Sequence, residues 1–422
     1  MHFATIMQPD SQSMDEVYYV PAANSILHGE SLGRTEHPPL GQSIIASGIL
    51  VFGDNPLGWR FFSVIFGSIL LILFYLICRE LKLSRYCAFL ATTLLAIDNL
   101  SFVMAGTAML DVFCLTFMFA AALLYLKKKY IWTGVFIGLA MASKLTGVFT
   151  LLFILAHWML TNRKSVKEMI KATVTSGFTF LASLTLLDFV IMHRLINPIE
   201  RIGHMLTYSR ELTFALYKSN APVQLNIVPS RPWQWLYRLD GMAFLTMDMT
   251  KIKLLGSQMV ISPETTKQVM YCLYEMIINP AIWALIVPCI LFVIYLSTKQ
   301  NKPALFALCW FSATYIIWIP INLITNRLTY DYYFYPAVVA VCIGIALLFS
   351  RINEFHVNNH VLRSVQRMIT PLYLGISILF FVFLYLGNVW FRAVWAIILF
   401  LIILYYLDRF QSPKITRIIV SK

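Results

Sequence analysis

The sequence predicts an all-α, polytopic membrane protein: a bundle of about eleven transmembrane helices with two large outer loops. Three observations carry that prediction. Of the 422 residues, 59% are hydrophobic and only 13% are charged, where a soluble domain has roughly 45–50% and ~25%. The mean hydropathy of +0.72 excludes an ordinary soluble enzyme, and so much apolar residue excludes a disordered chain. Apolar runs of 17 to 21 residues recur, long enough to cross about 30 Å of hydrocarbon as helices. A transmembrane barrel would instead show short alternating segments.

In chain order the candidate spans are 61–78, 86–105, 108–126, 130–142, 145–160, 172–192, 276–296, 303–323, 333–350, 372–388 and 391–407. The fourth and fifth are short, and one kinked helix with a re-entrant turn is the alternative reading. Alternate connections, such as Arg79–Arg85, Lys127–Lys129 and Arg163–Lys171, hold 19 basic residues against four acids. The positive-inside rule makes these loops cytoplasmic. The remaining 16 acids lie in, or near, the outer connections. Residues 1–59 should therefore be an outer N-terminal loop, although no cleavable signal peptide and no span precede residue 60. Residues 60–192 form a first transmembrane bundle, 193–274 a second outer segment and 275–422 a C-terminal bundle. The second outer segment contains Trp233, Trp235 and Tyr237, residue types that favour the membrane interface, so interfacial helices are expected there.

The net charge of +13 is thereby explained by topology, and nucleic acid is excluded as a partner. Six of the seven cysteines lie in apolar runs and none forms a CxxC pair, so they read as packing residues without a disulfide framework or zinc site.

The ionisable residues fall on one side. Asp15-Glu16 are adjacent carboxylates in SMDEVYY, followed by EHPPLG (Glu36–Gly41) and FGDNPLGWR ending at Arg60. A carboxylate in such a place can serve as a general base; an acidic pair also simply opens a solvated helix. Arg60, at the start of the first span, either snorkels to the headgroups or binds an anion, for which guanidinium has the matching geometry. Asp98 and Asp111 flank the turn after the second span, Lys144 lies between two apolar runs, and Arg327 and Asp331 share the turn NRLTYDYYFYP. For each, a capping, snorkelling or pairing role stands beside a functional one. Together with His37 they converge on the outer leaflet. Carboxylates plus cations there suit glycosyl transfer from a polyprenyl phosphate: the departing phosphate needs positive charge and the attacking hydroxyl needs a base.

The order DE (Asp15-Glu16), HPPLG (His37–Gly41), NPLGWR (Asn55–Arg60), IFG (Ile65–Gly67), ID (Ile97-Asp98), AMLD (Ala108–Asp111) and GLAxASKxxG (Gly138–Gly147) resembles the dolichyl-phosphate-mannose–protein O-mannosyltransferases of the GT-C superfamily. Later, SRPWQW (Ser230–Trp235) and NRLTYDYYFYP are similar to that family's outer-loop and late Arg–Tyr–Pro regions. The resemblance covers roughly residues 14–340 and is most specific over the first 150. It implies a GT-C-type bundle and inverting transfer of mannose from a polyprenyl (dolichyl) phosphate to Ser or Thr hydroxyls of exported proteins. It implies Asp15 as base, with Glu16 beside it orienting acceptor or sugar. Arg60 and Lys144 would hold the donor phosphate, and His37, Asp111, Ser230, Trp233 and Arg327 would contact substrates.

The chain also departs from the family. Members carry a span ahead of the acidic pair, whereas 14 residues precede Asp15 here; either the start is assigned late or the N-terminus crosses unaided. Ala105-Gly106 stand where members often carry Ser-Arg, and Asn226–Val228 where many carry His-Pro-Tyr. An outer segment of roughly 80 residues leaves no room for the β-rich domain of the eukaryotic members. The expected form is therefore prokaryotic, a multi-pass plasma-membrane protein with its active site on the outer face.

The alternative is another GT-C enzyme that delivers a lipid-linked sugar to a lipid or cell-wall acceptor. A transporter would show inverted repeats and midplane charge, and the sequence has neither. No HExxH, DxD or glycine-rich nucleotide motif is present, which disfavours a nucleotide-sugar donor. No cofactor is firmly implied, and a divalent metal is left open. The partners expected are the lipid-linked donor, a Ser/Thr-containing acceptor protein and the bilayer, with a dimer left open.

Overall fold

The computed structural model describes residues 2–30, 35–161, 166–215, 229–239, 242–248, 270–355, 358–383 and 401. The expected span 391–407 lies outside them except for residue 401, as does the end of 372–388.

Helices α1 (His2–Thr5), α2 (Glu16–Leu27) and α3 (Pro39–Phe52) build the N-terminal region. Pro38 is extended and Pro39 opens α3, so the proline pair is a helix start rather than a plain turn. Nor is this region a loose loop: Tyr19, Val20 and Ala23 of α2 and Ile45, Ala46 and Ile49 of α3 enter the main core. Asn55 then caps α4 (Pro56–Glu80), accepting from the Leu57 and Gly58 N–H groups.

The expected span 86–105 is two helices, α5 (Arg85–Ala96) and α6 (Asn99–Gly106), bent by 65°. Asp98 causes the break locally. Its carboxylate caps α6 through Ser101 N and Oγ (2.9 and 2.8 Å) and accepts from Asn279 N (2.8 Å). Asn279 in turn donates to the Ile97 and Ser377 carbonyls. Asp98 is thus a buried structural tie, the capping alternative among its two readings.

Helix α7 (Leu110–Leu126), α8 (Tyr130–Ser143) and α9 (Phe149–Thr161) follow, with a 3-10 turn over Leu145–Val148 between the last two. Two contacts fix their directions. Asp111 at the start of α7 pairs with Lys144 at the end of α8. Tyr125 at the end of α7 bonds His157, near the end of α9, at 2.9 Å. Hence α8 returns to the end where α7 began, and α9 runs back again: two antiparallel elements, not one kinked helix. Helix α10 (Val166–Met192) lies against α8, where Gly134 and Gly138 permit backbone contact. A Cβ at Gly134 would strike the Ala172 carbonyl and one at Gly138 the Thr179 side chain and Ser176 carbonyl. Small residues four apart are a means by which membrane helices approach without a hydrophobic driving force.

Beyond α11 (Pro198–Glu211), two strands, β1 (Met242–Asp248) and β2 (Met270–Met276), pair as an antiparallel ribbon. This ribbon departs from the all-helical expectation; the remaining regular elements among the described residues are helical. Helix α11 lies where interfacial helices are expected and buries Arg201 and Met205 while Ile199 and Leu206 are exposed. Further helices span Ile286–Thr298, Lys302–Phe311, Trp318–Thr325, Tyr335–Glu354 and His360–Phe383, and a π turn at Ser312–Ile316 joins the second to the third.

Among the described residues five helices are long and apolar enough to cross a membrane, six if the bent α5–α6 pair is one span. Five shorter apolar segments, α3, α7, α8, residues 145–161 and Ile286–Thr298, stand beside them. Ile72 of α4, Val174 and Phe178 of α10 and Leu372 are exposed, the outward apolar faces of a multi-pass membrane protein. Inside, the Trp310 N–H donates to the Pro336 carbonyl at 2.8 Å, since an unpartnered donor in that setting would be costly.

Candidate functional site

A cavity of about 500 Å³ opens where the start of α2, the loop before α3, the start of α7, the α8–α9 break, α11 and residues 325–336 meet. Asp15, His37, Asp111, Lys144 and Arg327 line it; Glu16, Arg60, Ser230 and Trp233 do not. Thr314 in the π turn and Trp318 just beyond it complete one wall.

The acidic pair divides because neighbouring side chains on a helix diverge by about 100°. Asp15, at the N-cap of α2, faces the cavity and accepts from the Tyr332 hydroxyl at 3.2 Å. Glu16 turns inward and is fully buried against Arg60, Nε to Oε1 at 2.8 Å and Nη2 to Oε2 at 2.7 Å. Its Oε1 also accepts from Ala108 N (2.8 Å) and its Oε2 from Ser13 N and Oγ. Arg60 completes its fork on the carbonyls of Ile6, Pro9 and Ser11, at 3.0, 2.7 and 3.1 Å. All five guanidinium N–H groups are then spent. This corrects two expectations. Arg60 has no donor left for a phosphate, and Glu16 has no exposed oxygen to orient a sugar. The pair instead anchors residues 6–16, and with them Asp15, onto α4.

Asp111 lies in the first turn of α7, where the helix field favours an acid. Lys144 sits at a backbone break, φ −156° and ψ 136°, which turns its side chain toward that helix start. Its Nζ reaches both Asp111 oxygens, at 2.8 and 2.7 Å, leaving one N–H, and lies 5.8 and 5.6 Å from the Tyr332 and Tyr333 ring centroids. In a double-mutant cycle, Lys144→Met with Asp111→Asn should show a coupling of about 0.5–3 kcal/mol in thermal unfolding. A coupling near zero would mean the pair is solvent-screened.

His37 follows the loop at Thr35, whose carbonyl accepts from Arg201; Arg201 is further held by Asp188 (3.2 Å). The His37 Nε2 lies 3.3 Å from the Tyr19 hydroxyl. Burial, and then the nearby Asp15 carboxylate, push the Tyr19 phenol well above its usual range, so it stays a protonated hydrogen-bonding group.

Ser230 and Trp233 require the third correction. Ser230 Oγ bonds Asp331 and accepts from Trp235 Nε1 (2.9 Å), while its backbone N–H and C=O pair with Thr329 (2.9 and 2.6 Å). It is a buried strut of the 229–237 segment. Trp233 packs beside Arg231, 5.7 Å from the guanidinium. Neither reaches the cavity, because the 229–237 segment docks on the 322–331 turn instead. Tyr19, Glu36, Arg210, Tyr332 and Tyr333 line the cavity without having been singled out. The run YDYYFY was the available signal for the tyrosines, since aromatic faces attract cations. Among the described residues no group of three or more His, Cys, Asp or Glu side chains could hold a metal ion.

Residues 36–187 match the sequence profile of a family described as dolichyl-phosphate-mannose-protein mannosyltransferase. A Mycolicibacterium smegmatis protein named polyprenol-phosphate-mannose–protein mannosyltransferase is 33% identical over 175 residues, which cover 33% of this chain and 34% of the relative. A protein of the same name from Mycobacterium tuberculosis is 30% identical over 189 residues, covering 36% of each. The match thus spans about a third of the length of these relatives. Among solved structures, the yeast (S. cerevisiae) protein O-mannosyltransferase Pmt1–Pmt2 complex bound to the sugar donor superposes with a TM-score of 0.64 at 13% identity, covering 90% of this chain and 87% of that one. ArnT from Cupriavidus metallidurans bound to undecaprenyl phosphate superposes with a TM-score of 0.56 at 14% identity, covering 96% and 74%. At such identities the likeness establishes a shared fold alone.

Proposed function

We propose that this chain, which carries the mannosyltransferase family region over residues 36–187, transfers mannose from a polyprenyl phosphate to Ser or Thr hydroxyls of exported proteins. The observation that carries the reading is the division of the acidic pair: Glu16 is locked on Arg60, and Asp15 is thereby presented to a cavity that also holds Lys144. The acceptor oxygen attacks the anomeric carbon from the face opposite the phosphate, and configuration inverts. The hydroxyl proton passes to Asp15 as general base. The bond from the anomeric carbon to the phosphate oxygen breaks, and the lipid leaves as a monophosphate. The remaining Lys144 N–H meets charge developing on that phosphate. His37, Asp111 and Arg327 contact the substrates.

In this reading residues 1–59 and 193–274 enclose the site on the outer face of the plasma membrane, and 60–192 and 275–422 form the bundle, alone or as a dimer. The names of the mycobacterial relatives support the donor and acceptor.

The test supplies membranes containing this chain with radiolabelled polyprenyl-phosphate mannose and a Ser/Thr-rich peptide. Label on the peptide is expected. Label moving only to a lipid or glycan would replace the acceptor class. No transfer of label at all would overturn the donor.

A further inference from the structure

The Ser230–Trp235 stretch does not line the cavity. What it touches is the turn that leads into Tyr332, and the Tyr332 hydroxyl donates to Asp15 Oδ2 at 3.2 Å.

The stretch is first fixed to the bundle. Pro232–Leu236 forms a 3-10 turn, with Trp235 buried. The Pro232 carbonyl accepts from the Tyr315 hydroxyl of the π turn at 3.1 Å, and the Trp235 carbonyl accepts from Trp283 Nε1 at 3.0 Å. The stretch then grips the turn at its start and its end. At the start, Arg231 donates to Asn322 Oδ1 and Asn326 Oδ1, both at 2.8 Å, and stacks over Phe214 at 4.0 Å. Asn326 ends the Trp318–Thr325 helix with φ 50° and ψ 25°. That left-handed conformation is one Asn tolerates better than most residues, at a cost the Arg231 bond offsets. Asn322, held by the same guanidinium, donates to the Arg327 carbonyl at 2.6 Å. At the end, Ser230 pairs with Thr329 in both directions and its Oγ bonds Asp331.

The backbone is extended at Tyr330, with φ −134° and ψ 156°. Successive side chains of an extended chain point to opposite sides. Thr329 and Asp331 therefore meet the stretch, while Tyr330 and Tyr332 line the cavity with their rings stacked 5.7 Å apart. The grip on one side of the turn fixes what the other side presents. A carboxylate rotates over a broad range about its last torsion. The bond from Tyr332 to Oδ2 narrows that range for Asp15, and a misplacement of about 1 Å can cost on the order of a hundredfold in rate.

We propose that Arg231 and Tyr332 are positioning residues for the transfer reaction: Arg231 sets the 326–331 turn, and the turn sets Tyr332 against Asp15. The inference rests on the function proposed above, with Asp15 as base. It also gives the Ser230–Trp235 motif a role that needs no contact with substrate.

The test measures single-turnover transfer from radiolabelled polyprenyl-phosphate mannose by the full chain in nanodiscs, and the donor concentration that gives half the maximal rate. Tyr332→Phe keeps the ring and removes the hydroxyl. It should slow transfer about tenfold, the effect of one hydrogen bond to a charged group, and leave the half-saturating donor concentration unchanged. Arg231→Met should slow transfer by a similar factor, and Arg231→Lys, which can reach one of the two asparagines, should recover part of the loss. The double variant Tyr332→Phe with Arg231→Met should be no slower than the slower single variant, because both changes release the same orientation. If Arg231 served stability alone, the two losses would multiply, and a double variant slowed about a hundredfold would overturn the proposal. Wild-type rates in Tyr332→Phe or in Arg231→Met would overturn it too, and leave the proposed function standing. Should Arg231→Met fail to fold, as thermal unfolding would show, Arg231→Lys replaces it in the same cycle with the same two outcomes. A wild-type chain that transfers no label would overturn the function and the positioning together.

Discussion

Exchanging Asp15 for Asn should lower transfer by about 10²–10⁴-fold, the range a positioned general base contributes. The substitution is nearly isosteric. An amide oxygen at this position still accepts from the Tyr332 hydroxyl, which now lies 3.2 Å from Oδ2. The anchor that places residue 15 is built from Glu16, Arg60 and the carbonyls of residues 6, 9 and 11, none of which the substitution touches. Folding and donor affinity should therefore survive, and the loss should fall on turnover rather than on the concentration of donor needed. Glu16 cannot stand in, because it is fully buried and its oxygens are taken by Arg60, Ala108 and Ser13. Single-turnover transfer from radiolabelled donor measures the effect directly. A variant that transfers at the wild-type rate would remove Asp15 from the chemistry.

What the sequence made legible follows from the range of each interaction. Hydropathy over a window is local, and it located α4, α7, α10 and the helices after residue 302. It missed α3, because 14 residues are too few for a crossing and the packing partner α4 begins only after the turn at Gly53. It joined α5 to α6, because the composition runs on through Asp98 and only the cap on Ser101 breaks the helix there. The positive-inside rule assigned Asp15, His37, Asp111, Lys144 and Arg327 to one side of the bundle, and all five line one cavity. It could not tell which cations are free. Arg60 and Glu16 are 44 residues apart, and Ser230 and Asp331 are 101 apart. Such partners are chosen by packing that no spacing rule encodes. The tyrosine that holds Asp15 lies 317 residues away for the same reason.

The ion pair of Arg60 with Glu16 should dominate stability where Asp15 dominates rate. Removing either partner strands a charge in a site with no water access, and breaking such a pair costs about 3–5 kcal/mol. Arg60→Leu should thus fail to accumulate as a folded membrane protein, or should unfold many degrees below the wild type in detergent. Arg60→Lys should recover only part of the loss, because an ammonium has three N–H groups and the site presents five acceptor contacts. The informative variant is the double one. Arg60→Leu with Glu16→Gln removes both charges, so no carboxylate is left unpaired, and it should be markedly more stable than Arg60→Leu alone. Were Arg60 instead a phosphate ligand, Arg60→Leu would keep its thermal stability and lose donor affinity, and the second substitution would rescue nothing. Thermal unfolding of the three variants beside the wild type separates the two roles: the anchor predicts rescue in stability, and the ligand predicts a deficit confined to donor binding.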